Sequence, residues 1–542
     1  MIYNPRLTAA PRLRYMTRAM VSALGLLFSA LAAAALPDAD FLVRGGTVYT
    51  GAEAPATIAD VVISGDAIVY VGPEGARHYR ARNVIDAGGK IVAPGFIDAH
   101  THPDTYIRSP DARQRLNAPW VFQGVTTVLI GVDGAGSFEI AKEAADFEKQ
   151  HVGTNLVPYV GFGAVRRAVL KDDARAPSAA ELDRMRALVA RGMCEGAIGF
   201  STGLFYAPQS FASTEEVIAL AKEAAQRGGL YDTHQRDESS YSIGLLGSVQ
   251  EVMRIGREAG LPVHIAHIKA LGVDVQGSAP KVISLIDAAR SAGLEVTADQ
   301  YPWLASGSNL SASLLPRWSV DGGRAALLKR LDDSATLAKI KTEMVENLRR
   351  RGGAQSLLLT SSNRPWTGKT LEQIAQSWRV DPVDASLQII RTAKDVDEVA
   401  SFNMTEDDVR LFMKEPWVVT SSDGSDGHPR QYATFPTKYA QYVQKDKVIT
   451  PEQFIRSSTG LTADIFRLVR RGYLRQGYFA DVVVLDPKRY APKADYLHPR
   501  VLSEGVDELF VNGQPVLQAG KLTGQAPGRV LLHTPPVGTC PK

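Results

Sequence analysis

Residues 94–102 read Pro-Gly-Phe-Ile-Asp-Ala-His-Thr-His, a short apolar segment that ends in two histidines. The apolar residues at its start are typical of a buried strand. Side chains two residues apart in an extended strand point to the same side, so His100 and His102 can face one metal ion. The stretch therefore predicts a buried strand that presents two imidazoles at its C-terminal end.

Further short apolar segments alternate with amphipathic helical stretches along the middle of the chain. Together with the first, the strand candidates are Ile91–Asp98, Val125–Val132, Leu156–Phe162, Ala197–Thr202, Gly229–Thr233, Val263–His267, Glu295–Asp299 and Trp417–Ser422. Strand–helix alternation favours a parallel sheet, and eight repeats favour a closed (β/α)8 barrel of the TIM type. An open, doubly wound α/β sheet is the alternative. The spacing breaks after the seventh candidate, which predicts a mostly helical insertion over residues 303–415.

Short β-like segments with tight turns stand on both sides of this middle part. Near the N-terminus they are Phe41–Tyr49, Val61–Val71 and Asn83–Val92, and near the C-terminus Ala480–Leu485, Glu508–Val511 and Gln514–Leu517. Asn512-Gly513 between two apolar runs is a strong hairpin signal. We expect residues 37–92 and 470–542 to form one small β-sandwich domain, and residues 93–469 to form the barrel with its insertion.

The first 36 residues are typical of an export signal. Four arginines (Arg6, Arg12, Arg14 and Arg18) precede an apolar run over residues 19–36 that ends in four alanines. A basic start, an apolar middle and a small-residue end describe a cleaved signal peptide. A permanent membrane anchor is the alternative, although this run is short and rich in alanine. We expect export, to the periplasm, with cleavage before the mature chain and no stable membrane anchor.

Composition excludes several classes of protein. Lys and Arg number 61 against 58 Asp and Glu among 542 residues, a balance that argues against a general nucleic-acid binder. An apolar fraction of 45% is too high for a disordered chain. Two cysteines are too few for a disulfide framework or a four-thiolate zinc site. Cys194 and Cys540 could pair if the chain folds outside the cytoplasm.

Polar side chains lie at the C-terminal ends of several predicted strands, which is the face where barrels carry their chemistry. They are His100, His102, Asp133, His234, His267 and Asp423. Imidazoles and carboxylates are the ligands of hydrolytic zinc sites, and six such groups can hold one or two divalent ions. Either Asp133 or a water-derived hydroxide would bridge two metals. Asp423 is the candidate general base.

The remaining histidines are less informative about a metal site. His264, two residues before His267, is either a neighbour of the ligands or part of the packing. His78, His151, His498 and His533 lie outside the strand-end pattern, and we interpret them as surface or structural residues.

These residues resemble the amidohydrolase superfamily, and in particular its N-acyl-D-amino-acid deacylase (D-aminoacylase) family. The first signature points to the superfamily, whereas other segments point to the branch. Those segments include Gly199–Tyr206, Ala298–Pro302, Ser422–Gly424 and His428-Pro429-Arg430. The resemblance covers residues 40–532. It implies a metal-dependent barrel with a small β-sandwich built from both chain ends, in agreement with the pattern above.

The resemblance also implies roles for individual residues. His234 and His267 would bind the tighter metal, and His100, His102 and Asp423 the second position. Arg430 would bind the α-carboxylate of the substrate with help from Tyr301, unless it forms an ordinary surface ion pair. Tyr206 would donate to the scissile carbonyl oxygen or form an apolar wall. Lys269 would face the substrate or support the ligands.

One position departs from the family pattern. The branch usually has Asn-Cys-Gly where this chain has Val132-Asp133-Gly134, and the family cysteine is a metal-bridging thiolate. A carboxylate is a harder ligand, so we expect weaker zinc binding and a shift toward harder divalent ions. The His-Pro-Arg segment also follows Asp423 more closely than the resemblance leads one to expect, which predicts a different pocket rim.

The sequence thus predicts a hydrolase that cleaves the linear amide of a small-molecule N-acyl-D-amino acid. Asp423 would take a proton from water and return it to the leaving nitrogen. A dipeptidase or a cyclic-amide hydrolase of the same superfamily is the first alternative. A non-enzymatic binding protein on the same barrel is the second.

Overall fold

A computed structural model describes residues 36–393 and 397–541, so the predicted signal peptide lies outside the described residues apart from its last position. The central part is a barrel of parallel strands. Its strands are β6 (Phe96–Asp98), β7 (Val125–Ile130), β8 (Asn155–Pro158) continued by β9 (Val160–Gly161), β10 (Gly199–Gly203), β11 (Leu230–His234), β12 (Val263–Ile265), β13 (Val296–Gln300) and β17 (Val418–Thr420).

The strands close into a ring. β6, β7 and β8 pair in that order, and a second series runs β9, β10, β11, β12, β13 and β17. Only Tyr159 separates β8 from β9 along the chain. A parallel bridge between Thr101 and Gly424 joins the first strand to the eighth. The predicted (β/α)8 barrel is therefore confirmed, and the open doubly wound alternative is wrong.

Helices surround the barrel. The first eight are α1 (Asp104–Ile107), α2 (Ala118–Val121), α3 (Ile140–Gln150), α4 (Phe162–Leu170), α5 (Ala179–Cys194), α6 (Thr214–Gln226), α7 (Gly244–Ala259) and α8 (Ala279–Ser291). Two of them, α5 and α6, begin at a serine whose side chain caps the helix. Ser178 and Glu181 form a capping box at the start of α5. Val189, Val217, Val249 and Ile286 on α5 to α8 are fully buried in one core with the strands.

The chain between the seventh and eighth barrel strands contains both helices and a small sheet. The helices are α9 (Leu310–Leu314), α10 (Gly323–Asp332), α11 (Ser334–Arg350), α12 (Leu371–Trp378), α13 (Pro382–Thr392) and α14 (Glu406–Met413). The strands β14 (Ala305–Asn309), β15 (Leu357–Leu359) and β16 (Glu398–Phe402) pair in an antiparallel sheet that the sequence analysis does not predict. A separate apolar core lies beneath these elements.

Both ends of the described chain contribute to one nine-stranded sheet. Its strands are β1 (Asp38–Val48), β2 (Thr57–Ser64), β3 (Ala67–Gly72), β4 (Arg80–Asp86), β5 (Ile91–Pro94), β18 (Val482–Leu485), β19 (Val506–Val511), β20 (Gln514–Gln518) and β21 (Lys521–Leu522). β5 pairs with both β1 and β18 and so joins the two ends. At the predicted hairpin, Asn512 and Gly513 both have positive φ, as a type I′ turn requires.

Gly95 marks the point where the chain leaves this sheet for the barrel. The sequence predicts one strand over Ile91–Asp98, whereas the structure divides it into β5 and β6 on either side of Gly95. A Cβ at Gly95 would lie 2.2 Å from Cγ2 of Thr126 on β7, so a larger residue at this position would clash with the Thr126 side chain.

The remaining helices follow the eighth barrel strand and pack beside it and the first strand. They are α15 (Arg430–Thr437), a π-helical turn over Lys438–Lys445, α16 (Pro451–Ser458) and α17 (Gly460–Ile465). Cys194 at the end of α5 forms a disulfide with Cys540, which ties the C-terminal segment to the barrel. Within residues 36–393 and 397–541, no helix has the length and hydropathy needed to cross a membrane.

Candidate metal centre and substrate cavity

The two histidines that follow β6 project to the same side of the barrel mouth. Thr101 between them points the other way and donates to the Leu129 carbonyl at 2.6 Å. His100 Nε2 and His102 Nε2 lie 3.3 and 3.6 Å from the two carboxylate oxygens of Asp133. The alternation predicted from the sequence therefore brings both imidazoles to one carboxylate.

Asp133 lies at the centre of the histidine cluster. Its Oδ1 atom is also 3.8 Å from His234 Nδ1 and 3.7 Å from His267 Nε2. The backbone of Asp133 is left-handed, with φ 55°, and Gln209 donates to its carbonyl at 2.9 Å. Burial would raise the pKa of Asp133, but the surrounding histidines hold it well below its usual range. The carboxylate is thus an anion shared by four imidazoles.

The donor atoms of this cluster fit divalent cations. Both ring nitrogens of His100, Oδ1 of Asp133 and Nδ1 of His234 are buried without a hydrogen-bond partner among the described residues. Buried polar atoms are normally paired, so these unpaired atoms need an explanation, which a bound cation would supply. Two groups that share His100 have ligand atoms close enough to hold an ion: His100, His102 and Asp423, and His100, Asp133 and His267. Such nitrogen and oxygen sets suit zinc.

Asp423 joins the cluster from the end of the eighth strand. Its Oδ1 atom lies 3.3 Å from His102 Nε2, and its Oδ2 atom lies 2.7 Å from Arg430 Nη1. Burial raises the pKa of Asp423, but Arg430 and the histidines lower it more, so the carboxylate stays ionised. Like Asp133 and His267, Asp423 has a positive φ, which is uncommon for a non-glycine residue but also occurs in loops elsewhere in this chain.

Glu238 belongs to the site, although it lies outside the predicted set of strand-end ligands. Its Oε1 atom lies 3.1 Å from His267 Nδ1 and 2.6 Å from Lys269 Nζ, and its Oε2 atom lies 3.7 Å from His234 Nε2. Burial would raise the pKa of Glu238, but Lys269 and the two histidines lower it. The available signal was a carboxylate four residues after a strand-end histidine. Lys269 contacts this carboxylate rather than standing free.

The three candidate substrate-binding residues lie together. The Tyr301 ring centroid is 5.0 Å from the Arg430 guanidinium carbon and 5.6 Å from Lys269 Nζ. The Tyr301 hydroxyl and Arg430 Nε are buried and lack hydrogen-bond partners among the described residues. Arg430 is 2% exposed, so it is not a surface arginine. This group presents unused donors beside Asp423.

Tyr206 follows β10 and lines the cavity above the metal ligands. Its ring centroid is 4.8 Å from that of His234. Burial, with Asp133 nearby, raises the pKa of Tyr206, so the hydroxyl remains a donor. The same cavity is lined by His234, Glu238, Tyr241, Lys269, Ser306, Ser308, Arg351 and Asp423.

The histidines outside the pattern lie away from this cavity or below it. His264 is buried under the ligands, where its Nε2 atom lies 3.0 Å from Asp299 Oδ2 and its Nδ1 atom 2.8 Å from Thr297 Oγ1. Asp299 also accepts from the backbone N–H of His267 at 2.9 Å. His264 is therefore a structural residue that supports the strand carrying His267. His428 contacts the Ala305 carbonyl.

The chain resembles characterised hydrolases over nearly its whole length. The model of the amidohydrolase family matches residues 83–517. D-aminoacylase of Alcaligenes xylosoxydans xylosoxydans is 32% identical over 91% of this chain and 98% of its own length. The chain belongs to the amidohydrolase family. The resemblance to the D-aminoacylase branch, predicted from the strand-end motifs, is confirmed.

Solved structures of amidohydrolases support the assignment of this chain to the family. A D-aminoacylase studied for its binuclear metal centre superposes with a TM-score of 0.77 at 31% identity, covering 91% of this chain and all of that one. N-acyl-D-glutamate deacylase from Bordetella bronchiseptica, in complex with zinc and a phosphonate mimic of the tetrahedral intermediate, has the same TM-score and coverage at 30% identity.

Proposed function

We propose that this amidohydrolase cleaves the amide bond of N-acyl-D-amino acids, giving a carboxylate and a free D-amino acid. One observation carries the proposal: the metal-ligand cluster around Asp133 shares Asp423 with a buried group of unused donors, Arg430 and Tyr301. Such a site can bind a carboxylate beside the reacting amide. The D configuration and the linear amide follow from the relatives.

The residues that would hold one or two zinc ions are His100, His102, Asp133, His234, His267 and Asp423. When bound, a divalent cation lowers the pKa of water and polarises a carbonyl group. Asp133 would supply two oxygens between the histidine pairs. Glu238 fixes the ring of His267 through Nδ1, which keeps Nε2 directed at Asp133.

Asp423 moves the proton. As an ionised carboxylate it takes a proton from the attacking water while the water oxygen bonds to the acyl carbon. It then gives that proton to the amide nitrogen as the C–N bond breaks. The Tyr206 hydroxyl donates to the carbonyl oxygen as negative charge develops there.

Arg430, Tyr301 and Lys269 hold the α-carboxylate. A guanidinium matches the two oxygens of a carboxylate, and Nε of Arg430 is without a partner among the described residues. Because Arg430 also contacts Asp423, the bound carboxylate and the proton-transfer group are positioned by one side chain.

The test is hydrolysis of paired N-acetyl-D- and N-acetyl-L-amino acids by the zinc-loaded mature protein, scored by released amine. We expect turnover of D substrates only. Equal turnover of both enantiomers would contradict the stereochemical assignment. Turnover confined to dipeptides or cyclic amides, included in the same panel, would show one of the alternative superfamily activities.

We also propose that the protein is exported to the periplasm. Two features support this: the leader over residues 1–36 and the Cys194–Cys540 disulfide, a bond that persists in oxidising compartments. Cell fractionation with N-terminal sequencing tests it, and we expect a mature chain that begins near residue 37. A full-length chain in the membrane fraction would identify the leader as an anchor instead.

A further inference from the structure

Two arginines beside the substrate cavity have no acidic partner within the described residues. Arg351, directly after α11, lines the cavity that also contains Asp423 and His234. Arg317, after α9, stacks on Phe205, with its guanidinium carbon 3.9 Å from the ring centroid. Arg351 lies 5.8 Å from the same ring. We call these two residues the arginine pair.

Every hydrogen bond found for the arginine pair goes to a neutral group. Arg351 Nε donates to the Tyr241 hydroxyl at 2.6 Å and Nη1 to the Ser306 hydroxyl at 3.4 Å. Arg317 Nη1 donates to backbone carbonyls, and its Nη2 is buried without a partner among the described residues. Burial and the neighbouring charge of Arg351 lower the pKa of Arg317 to about 10.

The nearby carboxylates are already engaged. Glu238 contacts Lys269, and Asp423 contacts Arg430. Asp237 accepts from the backbone N–H groups of Ser239, Ser242 and Gly244. Among the described residues the arginine pair therefore forms no ion pair, and Arg351 is only 2% exposed. Buried charges are normally paired, so a lone guanidinium that lines a substrate cavity calls for an anionic ligand.

The cavity wall supplies further donors for that ligand. Ser308, on the same short strand as Ser306, has a buried hydroxyl that lies beside the Tyr206 hydroxyl. On this strand Gly307 leaves room for Arg430, because a Cβ there would lie 2.7 Å from Arg430 Nη2. Arg351 and Arg430 thus both contact the Ser306–Ser308 segment, so one ligand can reach both.

We propose that Arg351 binds a second carboxylate, on the side chain of the substrate, and that this enzyme prefers N-acyl derivatives of acidic D-amino acids. The inference rests on the proposed function, in which Arg430, Tyr301 and Lys269 take the α-carboxylate. Arg351 and the serine hydroxyls take the side-chain carboxylate, and Arg317 adds positive charge behind Phe205.

The direct test compares N-acetyl-D-glutamate with N-acetyl-D-glutamine on the wild-type enzyme. The two substrates have nearly the same shape and differ in the side-chain charge. We expect kcat/KM to favour the glutamate derivative by about 100-fold, because a site built for a charged partner rejects its neutral analogue. This measurement needs no variant, so a folding defect cannot obscure it.

Arg351→Met tests the residue itself. We expect the glutamate-to-glutamine ratio of kcat/KM to fall by about 30-fold or more, mainly through KM of the acidic substrate, and Arg351→Lys to restore part of it. Arg349→Met is the matched control, because Arg349 is exposed and pairs with Asp274 and Glu346. A purely structural role would lower kcat/KM for both substrates by the same factor.

The outcomes separate the two proposals. If the wild-type enzyme hydrolyses N-acetyl-D-glutamine or N-acetyl-D-leucine as well as the acidic substrate, the proposed function stands and this inference is wrong. An unchanged ratio in Arg351→Met would also overturn it. If no N-acyl-D-amino acid is hydrolysed, the proposed function fails, and the inference fails with it.

Discussion

The charges at the barrel mouth fall into two regions that differ in how they are compensated. Around Asp133 and Asp423 each carboxylate is close to imidazoles or a guanidinium, and Glu238 likewise contacts Lys269. On the wall of the cavity, the arginine pair donates only to neutral groups in the part of the chain that the structure describes. Paired charges fix one geometry, as ligands and proton carriers require. A buried arginine without an acidic partner is stabilised when an anionic ligand binds beside it, so it can make the site selective for anionic substrates.

The largest effect should follow from Asp423→Asn, which keeps the shape of the residue but removes its proton-accepting charge. We expect kcat to fall by about 10³-fold, within the range for loss of a general acid–base residue. Bound zinc, measured by elemental analysis, should stay mostly in place because the histidines and Asp133 remain. Asp426→Asn is the control, since Asp426 is exposed and pairs with Arg500. Substantial residual turnover in Asp423→Asn would remove Asp423 as the base.

Substitution of Asp133 tests the centre of the metal-ligand cluster. Asp133→Ala removes the carboxylate shared by four imidazoles, and we expect metal affinity to drop by about 100-fold or more. Asp133→Cys should instead tighten zinc by about 10-fold, because a thiolate is the softer ligand. Chelator competition measures both, and cobalt substitution should give a sulfur-to-metal absorption band only in the cysteine variant. Equal zinc affinity in all three proteins would place Asp133 outside the metal site.

Substitution of Glu238 tests whether a residue that contacts a ligand histidine, rather than the metal, affects metal binding and activity. Glu238→Gln keeps a hydrogen bond to His267 but loses the charge that faces Lys269. We expect a loss of about 10-fold in metal affinity or kcat/KM, as is usual for groups that orient ligand histidines. Glu258→Gln, on the exposed face of α7, is the control. A loss confined to substrate KM would assign Glu238 to Lys269 and the substrate rather than to the metal.

Local patterns explain why most of this region could be predicted from the sequence. The alternation around Thr101 and the strand-end positions of Asp133, His234, His267 and Asp423 are short-range features, and barrel closure brings them together. Glu238 has only a weak signal, its position four residues after His234, because its contacts depend on the turn after β11 rather than on strand periodicity. The unpaired state of Arg351 depends on which acids are engaged elsewhere, which a linear pattern does not encode.

In the fold, too, elements with a local sequence pattern could be predicted and elements formed by long-range pairing could not. The barrel strands are apolar runs at regular spacing and were predicted, whereas the β14–β16 sheet was not. Its strands are distant in sequence, and β14 reads Ala-Ser-Gly-Ser-Asn, a composition with weak strand preference. Pairing with β16 across a long connection stabilises it. Long-range pairing thus overrides local propensity in the insertion that carries Ser306 and Ser308.

Lys438 extends the comparison to a third kind of charge, a buried lysine that donates to a neutral hydroxyl group. Its Nζ atom donates to Thr420 Oγ1 at 2.8 Å, and burial lowers the pKa of Lys438 to about 7. Below pH 7 both folded and unfolded chains carry this proton, so folding must bury the charge. Between pH 7 and the ordinary value of 10.5 the unfolded chain binds more protons, so the stability of the wild-type protein rises with pH through that window.

Lys438→Met removes this cost, and Thr420 Oγ1 keeps its contact with Ser458. We expect the variant to be more stable than the wild type at pH 7 and below, and its advantage to shrink by about 1.4 kcal/mol per pH unit above pH 8. Denaturant unfolding at several pH values measures the difference. Lys445→Met, exposed on the same π-helical segment, should give a difference that does not vary with pH. If Lys438→Met behaves in the same way, Lys438 has the same pKa in the folded and unfolded chains, and the lowered pKa on which this prediction rests is wrong.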